Sequence, residues 1–124
     1  MSDKKVVLVI DDDDDVLQLA KIALDGLNVE VMTASGGGHG LAVAGSACPD
    51  LVLCDMIMES DGEGLNVCRK IRGSGCKVPI VLVSSIGHAS MDNFDVLAEG
   101  FNGVLQKPFT AAALRKLVSE KLGI

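Results

Sequence analysis

At 124 residues, with 48% hydrophobic and 23% charged, the chain can build one apolar core without disulfide or metal staples, which excludes a disordered segment. Its net charge of −6, with no block of Lys and Arg, excludes direct nucleic-acid binding and suits small cations or a basic protein partner. Apolar runs far shorter than the roughly 20 residues needed to cross a bilayer exclude a membrane span, and four cysteines without CxxC spacing, beside no secretory leader pattern, are expected as buried free thiols in the cytoplasm.

Residues 6–10 read VVLVI, the continuous β-branched and leucine pattern of a strand covered on both faces. Five aspartates follow. Asp11 and Asp12 fall at the strand end and are site candidates. Asp14 and Asp15 fall where Leu17, Ala20, Leu24 and Leu27 begin a helical repeat, and there a carboxylate caps free amides or meets the favourable end of the helix dipole. Asp13 is open to either role.

Gly26 ends that helix, and a short, weaker strand covers residues 29–33. Residues 35–47 form a marginal helix, because Gly36, Gly37, Gly38 and Gly40 each cost up to about 1 kcal/mol against alanine. They do not make a phosphate loop, since no Gly-Lys-Ser/Thr ending follows; flexibility or close packing is the expectation.

Pro49 introduces the next buried strand, residues 51–54, which Asp55 stops. A loop over 56–64, turned by Gly62 and Gly64, leads to a helix whose apolar positions are Leu65, Cys68 and Ile71; Arg69, Lys70 and Arg72 are read as solvating it. A third apolar strand, residues 79–83, ends on Ser84 and Ser85. Met91, Phe94, Leu97 and Ala98 mark a helix closed by Gly100, and a last short strand covers 102–105. Gln106, Lys107, Pro108 and Phe109 follow, and Thr110 caps a final helix buried through Leu114, Leu117, Val118 and Leu122.

Five strands alternate with five helices, with no linker that divides the chain, so one domain over residues 1–124 is expected as a three-layer α/β/α sandwich. The polar groups at successive strand ends, Asp11 and Asp12, Asp55, Ser84 and Lys107, then converge on one edge, where open α/β sheets place their chemistry. Clustered carboxylates repel unless a cation joins them, and oxygen ligands without a nearby thiolate or histidine suit a hard ion such as Mg²⁺. One Asp55 oxygen is then the nucleophile toward a phosphoryl group, with the Ser84 hydroxyl and Lys107 ammonium as fixed donors to its oxygens. His39 and His88 pair with no ligand partner and are expected to be exposed.

These residues resemble the receiver domain of two-component response regulators: the acid pair after VVLVI, the segment PDLVLCD ending at Asp55, Ser84 after PIVLV, and Lys107-Pro108-Phe109. The resemblance spans residues 4 to 122. It implies a flavodoxin-like (βα)5 fold with parallel sheet order 2-1-3-4-5. It also implies that Asp55 accepts a phosphoryl group from the phosphohistidine of a histidine kinase or histidine phosphotransfer protein. Mg²⁺, with Mn²⁺ as a substitute, is then held by Asp12 directly, by Asp11 largely through water, by Asp55 and by the Ile57 backbone carbonyl. Ser84 and Lys107 contact the phosphoryl oxygens. Such a domain catalyses its own phosphorylation and dephosphorylation without being a turnover enzyme, changes its binding to a downstream effector, and in the family forms phosphorylation-dependent dimers.

Several positions depart from that pattern. The usual Met-Pro-x-Met-Asp-Gly loop is replaced by Met58-Glu59-Ser60-Asp61-Gly62-Glu63-Gly64, one residue longer and without proline. Val104 stands where family members often carry a tyrosine or phenylalanine whose rotation accompanies the switch, so the aromatic half of the switch is expected to be absent. Ile57 and Ile86 flank the site where polar side chains help to position hydrolytic water, so slower loss of phosphate is expected. Two rivals stand beside this reading. One is a receiver-like docking module without phosphorylation. The other is a haloacid-dehalogenase-type phosphatase with Asp11 as nucleophile and Asp13 as acid-base residue, although a further acidic motif after Lys107 is missing. A flavin site is disfavoured by only three aromatics, Phe94, Phe101 and Phe109.

Overall fold

The computed structural model describes residues 4–56, 63–85 and 100–124, without the side chains of Glu63 and Ser85. In chain order the elements are β1 (Lys5–Ile10), α1 (Asp14–Leu24), β2 (Val29–Ala34), α2 (Gly37–Ala47), β3 (Leu51–Asp55), α3 (Glu63–Gly73), β4 (Ile80–Ser85), β5 (Gly103–Lys107) and α4 (Ala111–Leu122). All five strands are parallel in one sheet of order β2-β1-β3-β4-β5, the order expected from the sequence. The helix expected around Met91 to Ala98 lies outside the described residues.

Strand alternation divides the core in two. Val7, Val9, Leu51, Leu53, Val81 and Val83 point to one face, where Leu17, Ala20 and Leu24 of α1 and Leu114 and Val118 of α4 cover them. Leu8, Ile10, Val52, Cys54, Ile80 and Leu82 point to the other, where Val67, Cys68 and Ile71 of α3 and partly buried Leu41, Val43 and Ala44 of α2 pack. Because both faces are covered, the central strands read as unbroken apolar runs. Among the described residues no helix is long and apolar enough to cross a membrane.

Local details correct several expectations. β2 is not a weak strand: it is six residues long and pairs with β1 along its whole length, from Lys5 with Val29 to Ile10 with Ala34. α2 forms over eleven residues despite its glycines, and Gly40 is there for close approach, since a Cβ at that position would lie 2.6 Å from Ile10 Cδ1. Gly64 belongs to the first turn of α3 rather than to a loop, and a Cβ on it would collide with the Asp55 carbonyl oxygen. Cys54 and Cys68 are buried as expected, but Cys48 and Cys76 are exposed, because they fall in the turns that leave α2 and α3.

Arg72 is not merely a solvating charge. Its guanidinium donates to the carbonyls of Cys76, Val78 and Gly100 and to Asn102 Oδ1, which also accepts from the Ile80 amide. It thereby ties the end of α3 to the beginnings of β4 and β5. Nothing in the sequence period marks this role, because a planar five-donor fork at a helix C-terminus finds unpaired carbonyls only once the turns are in place.

Candidate functional site

Register carries the polar residues to one edge. Ile10 pairs with Cys54, so Asp11 leaves β1 level with Asp55 at the end of β3. Asp55 pairs with Val83, which puts Ser84 one residue further along β4, and Ser85 pairs with Lys107. Lys107 is therefore the last residue of β5 rather than part of the turn after a strand ending at 105. Its peptide bond to Pro108 is cis.

The five aspartates divide by hydrogen bonding. The Asp11 carboxylate accepts the Asp13 amide at Oδ1, 2.9 Å, which fixes its orientation. The α1 cap is Asp13, not Asp14 or Asp15: its Oδ1 accepts the Asp15 amide at 2.9 Å, while Asp14 and Asp15 sit exposed in the first turn. The repeated contact from a carboxylate to the amide two residues on is the signal that a reading by helical period missed. Asp12 is exposed, whereas Asp11 and Asp55 retain only 1% and 5% of their accessible surface.

Burial of two carboxylates demands a counter-charge. Lys107 supplies one: its Nζ lies 2.8 Å from Asp11 Oδ2 and 3.5 Å from Asp55 Oδ1. Burial is the largest influence on Lys107 and lowers its pKa. The short-range contact and charge of Asp11, then those of Asp55, outweigh it and hold the ammonium above the ordinary lysine value of 10.5. One positive charge does not balance three carboxylates. Oxygens of Asp11, Asp12 and Asp55 all lie within 4.8 Å of one another, a spacing that one small ion can bridge. Apart from its ion pair, the buried Asp11 Oδ2 has no hydrogen-bond partner among the described residues. The donor set, three carboxylates and no thiolate or imidazole, fits a hard divalent cation.

Ser84 is buried, with 3% of its surface exposed, at the strand end beside Asp55. Ile57, Ile86, His88 and the altered loop over 58–62 lie outside the described residues; His39 is exposed. Val104 is 43% exposed on the edge strand β5, paired with Leu82, and offers no ring there. A groove of about 480 Å³ adjoins the site, lined by Asp13, Asp15, Val16, Leu19, Lys107, Pro108 and Phe109. It joins the first two turns of α1 to the turn after β5, a combination that no contiguous motif reveals.

Comparison with known proteins agrees with this geometry. The family model of the response regulator receiver domain matches residues 7–119. The nisin biosynthesis regulatory protein NisR of Lactococcus lactis is 33% identical over 114 residues, covering 92% of this chain and 47% of that protein. The response regulator PleD of Caulobacter vibrioides is 32% identical over 124 residues, covering 95% of this chain and 27% of that protein. The chain thus spans about half, or less, of the length of these curated relatives. A response regulator receiver domain protein from Clostridium thermocellum is 31% identical with a TM-score of 0.81, covering 96% of this chain and 94% of the other. The chemotaxis response regulator CheY4 of Vibrio cholerae is 26% identical with a TM-score of 0.85, covering 96% and 99%. By fold, by acidic cluster and by a family match along nearly its whole length, this chain belongs to the response regulator receiver domains.

Proposed function

We propose that the chain, as one receiver domain over residues 1–124, takes a phosphoryl group onto Asp55 from the phosphohistidine of a histidine kinase or histidine phosphotransfer protein. An Asp55 carboxylate oxygen attacks phosphorus, the phosphorus–nitrogen bond breaks, and the imidazole keeps the electron pair and takes up a proton. The observation that carries this reading is the meeting of Asp11, Asp12 and Asp55 oxygens within 4.8 Å, with the Lys107 ammonium against two of them.

Asp11, Asp12, Asp55 and the Ile57 carbonyl are the proposed ligands of Mg²⁺, with Mn²⁺ as substitute. When bound, the ion supplies charge neutralisation for the phosphoryl oxygens. Lys107 meets another of those oxygens, and the Ser84 hydroxyl donates to a third. Asp55 does not lose its nucleophilic oxygen to the helix cap, because Asp13 serves α1 and Asp11 holds the Asp13 amide. The same commitment speaks against Asp13 as the acid-base residue of a phosphatase. The groove beside Lys107, apolar at Val16, Leu19 and Phe109 and acidic at Asp13 and Asp15, suits a basic, partly apolar donor surface.

The domain so described catalyses its own phosphorylation and dephosphorylation, resides in the cytoplasm, and alters its affinity for a downstream effector or for a second copy. Treatment with acetyl phosphate and Mg²⁺, followed by mass mapping of the acid-labile group, tests it. Labelling at Asp55, abolished by Asp55→Asn and by chelator, is expected. Labelling at Asp11 instead, or none under conditions that label another receiver, overturns it.

A further inference from the structure

Two of the four thiols are misplaced for a purely structural role. Cys54 and Cys68 fill the core, whereas Cys48 and Cys76 are free and exposed. Both line one hollow of about 390 Å³ at the ends of α2 and α3, walled by Leu41, Ala44, Ile71 and Val78, with Lys70 also lining it. Both lie outside the sheet, in the connections that lead into the neighbouring strands β3 and β4. β3 and β4 run parallel with Val52 paired to Ile80, and each cysteine lies four residues before its member of that pair.

Two details fix the backbones that carry them. Cys48 is the one described residue other than glycine with positive φ, at 48°, on the left-handed cap of α2, where glycine or asparagine is the usual choice. A cysteine held there against its preference is a strained position next to a hollow. The Cys76 carbonyl accepts Arg72 Nη1 at 3.2 Å, which ties the second turn to α3.

We infer that Cys48 and Cys76 form a thiol-modification site, in which a peroxide oxidises the pair to one intramolecular disulfide. A thiolate of one cysteine attacks a peroxide oxygen, the oxygen–oxygen bond breaks, and a sulfenic acid and one water result. The second thiolate attacks that sulfur and expels hydroxide, which leaves as a second water. Two electrons and two protons pass from the thiols to the peroxide. The closed loop runs from the end of α2 through β3 and Asp55 to the end of α3. This inference is independent of phosphoryl transfer.

Folded protein treated with hydrogen peroxide, quenched with an alkylating reagent and digested without reductant provides the test. The thiols that can be alkylated after unfolding are expected to fall from four to two. A peptide pair linking Cys48 to Cys76 is expected in the monomer and should vanish with dithiothreitol. Cys48→Ser and Cys76→Ser should each abolish the link while leaving the far-ultraviolet circular dichroism unchanged, and in Cys48→Ser the remaining Cys76 should stop at a dimedone-reactive sulfenic acid. Separate oxidation of the two thiols without a link, links between chains only, or loss of Cys54 and Cys68 instead would each overturn the inference.

Discussion

Lys107 holds one ammonium against two buried carboxylates, and that arrangement has a pH signature. Its pKa in the folded chain lies above the ordinary 10.5, so its contribution to stability is complete below that value and drains away as pH rises through the higher folded value. In chelator, urea midpoints compared at about pH 9 and about pH 11 should show a larger alkaline loss for the native chain than for Lys107→Met. At neutral pH the variant should be less stable by on the order of 1–3 kcal/mol, because Asp11 Oδ2 then lies buried without its ion pair. Equal alkaline losses in the two proteins would show that the contact is geometric only. The acidic run teaches the same lesson at finer grain. That Asp11 and Asp12 meet Asp55 was legible from their place after an apolar strand, but the capping role of Asp13 was not, since five identical side chains in a row give composition no way to rank them. Only the local backbone, which turns the Asp11 and Asp13 carboxylates toward the amides two residues on, distinguishes them.

Among the elements, α3 is where sequence reading and structure part most clearly. Gly64 reads as a turn residue, yet it seats the first turn of α3 against the backbone of Asp55: its amide donates to the Met56 carbonyl at 3.1 Å, and a methyl group in its place would strike the Asp55 carbonyl oxygen. Gly64→Ala should therefore cost about 1–3 kcal/mol through displaced backbone and slow labelling of Asp55. Gly45→Ala, in α2 with nothing within 4 Å of the new carbon, should instead stabilise by about 0.5–1 kcal/mol. Thermal melts of the two variants check the sign, and a loss at both positions would remove the distinction. The strands and their buried runs were legible because both faces are covered, and so was the Thr110 cap, whose hydroxyl accepts the Ala113 amide at 3.0 Å. The strength of β2 was not, because its length is set by pairing with β1 and not by its own composition.

For the whole molecule, the fold and the meeting place of Asp11, Asp12, Asp55 and Lys107 follow from strand order and register, which the alternation of elements already implied. Surface features do not follow in that way: the groove beside Lys107 and the two exposed thiols arise where turns from distant parts of the chain come together. The largest test at this scale concerns Val104, 43% exposed and without a ring on the β5 edge. A phosphate mimic such as beryllofluoride with Mg²⁺ shifts a two-state equilibrium only if it contacts the states differently. We expect it to change hydrogen exchange around residues 84–90 and 104 and the affinity for a partner, with the change carried by backbone rather than by aromatic rotation. Unchanged exchange and affinity would leave a receiver fold that docks but does not switch.

The double contact of Lys107 has one more consequence. Its ammonium has already been stripped of part of its water and lodged between Asp11 and Asp55 before any donor arrives. Under the proposed function, phosphorylation of an Asp55 oxygen makes an acyl phosphate, and the amine then needs only a short swing from one acid to the new phosphoryl oxygens, with no fresh dehydration and no search through solvent. The resting protein thus stores a pre-dried cation beside Asp55, and the small size of that swing suits the reversible phosphorylation proposed for that side chain.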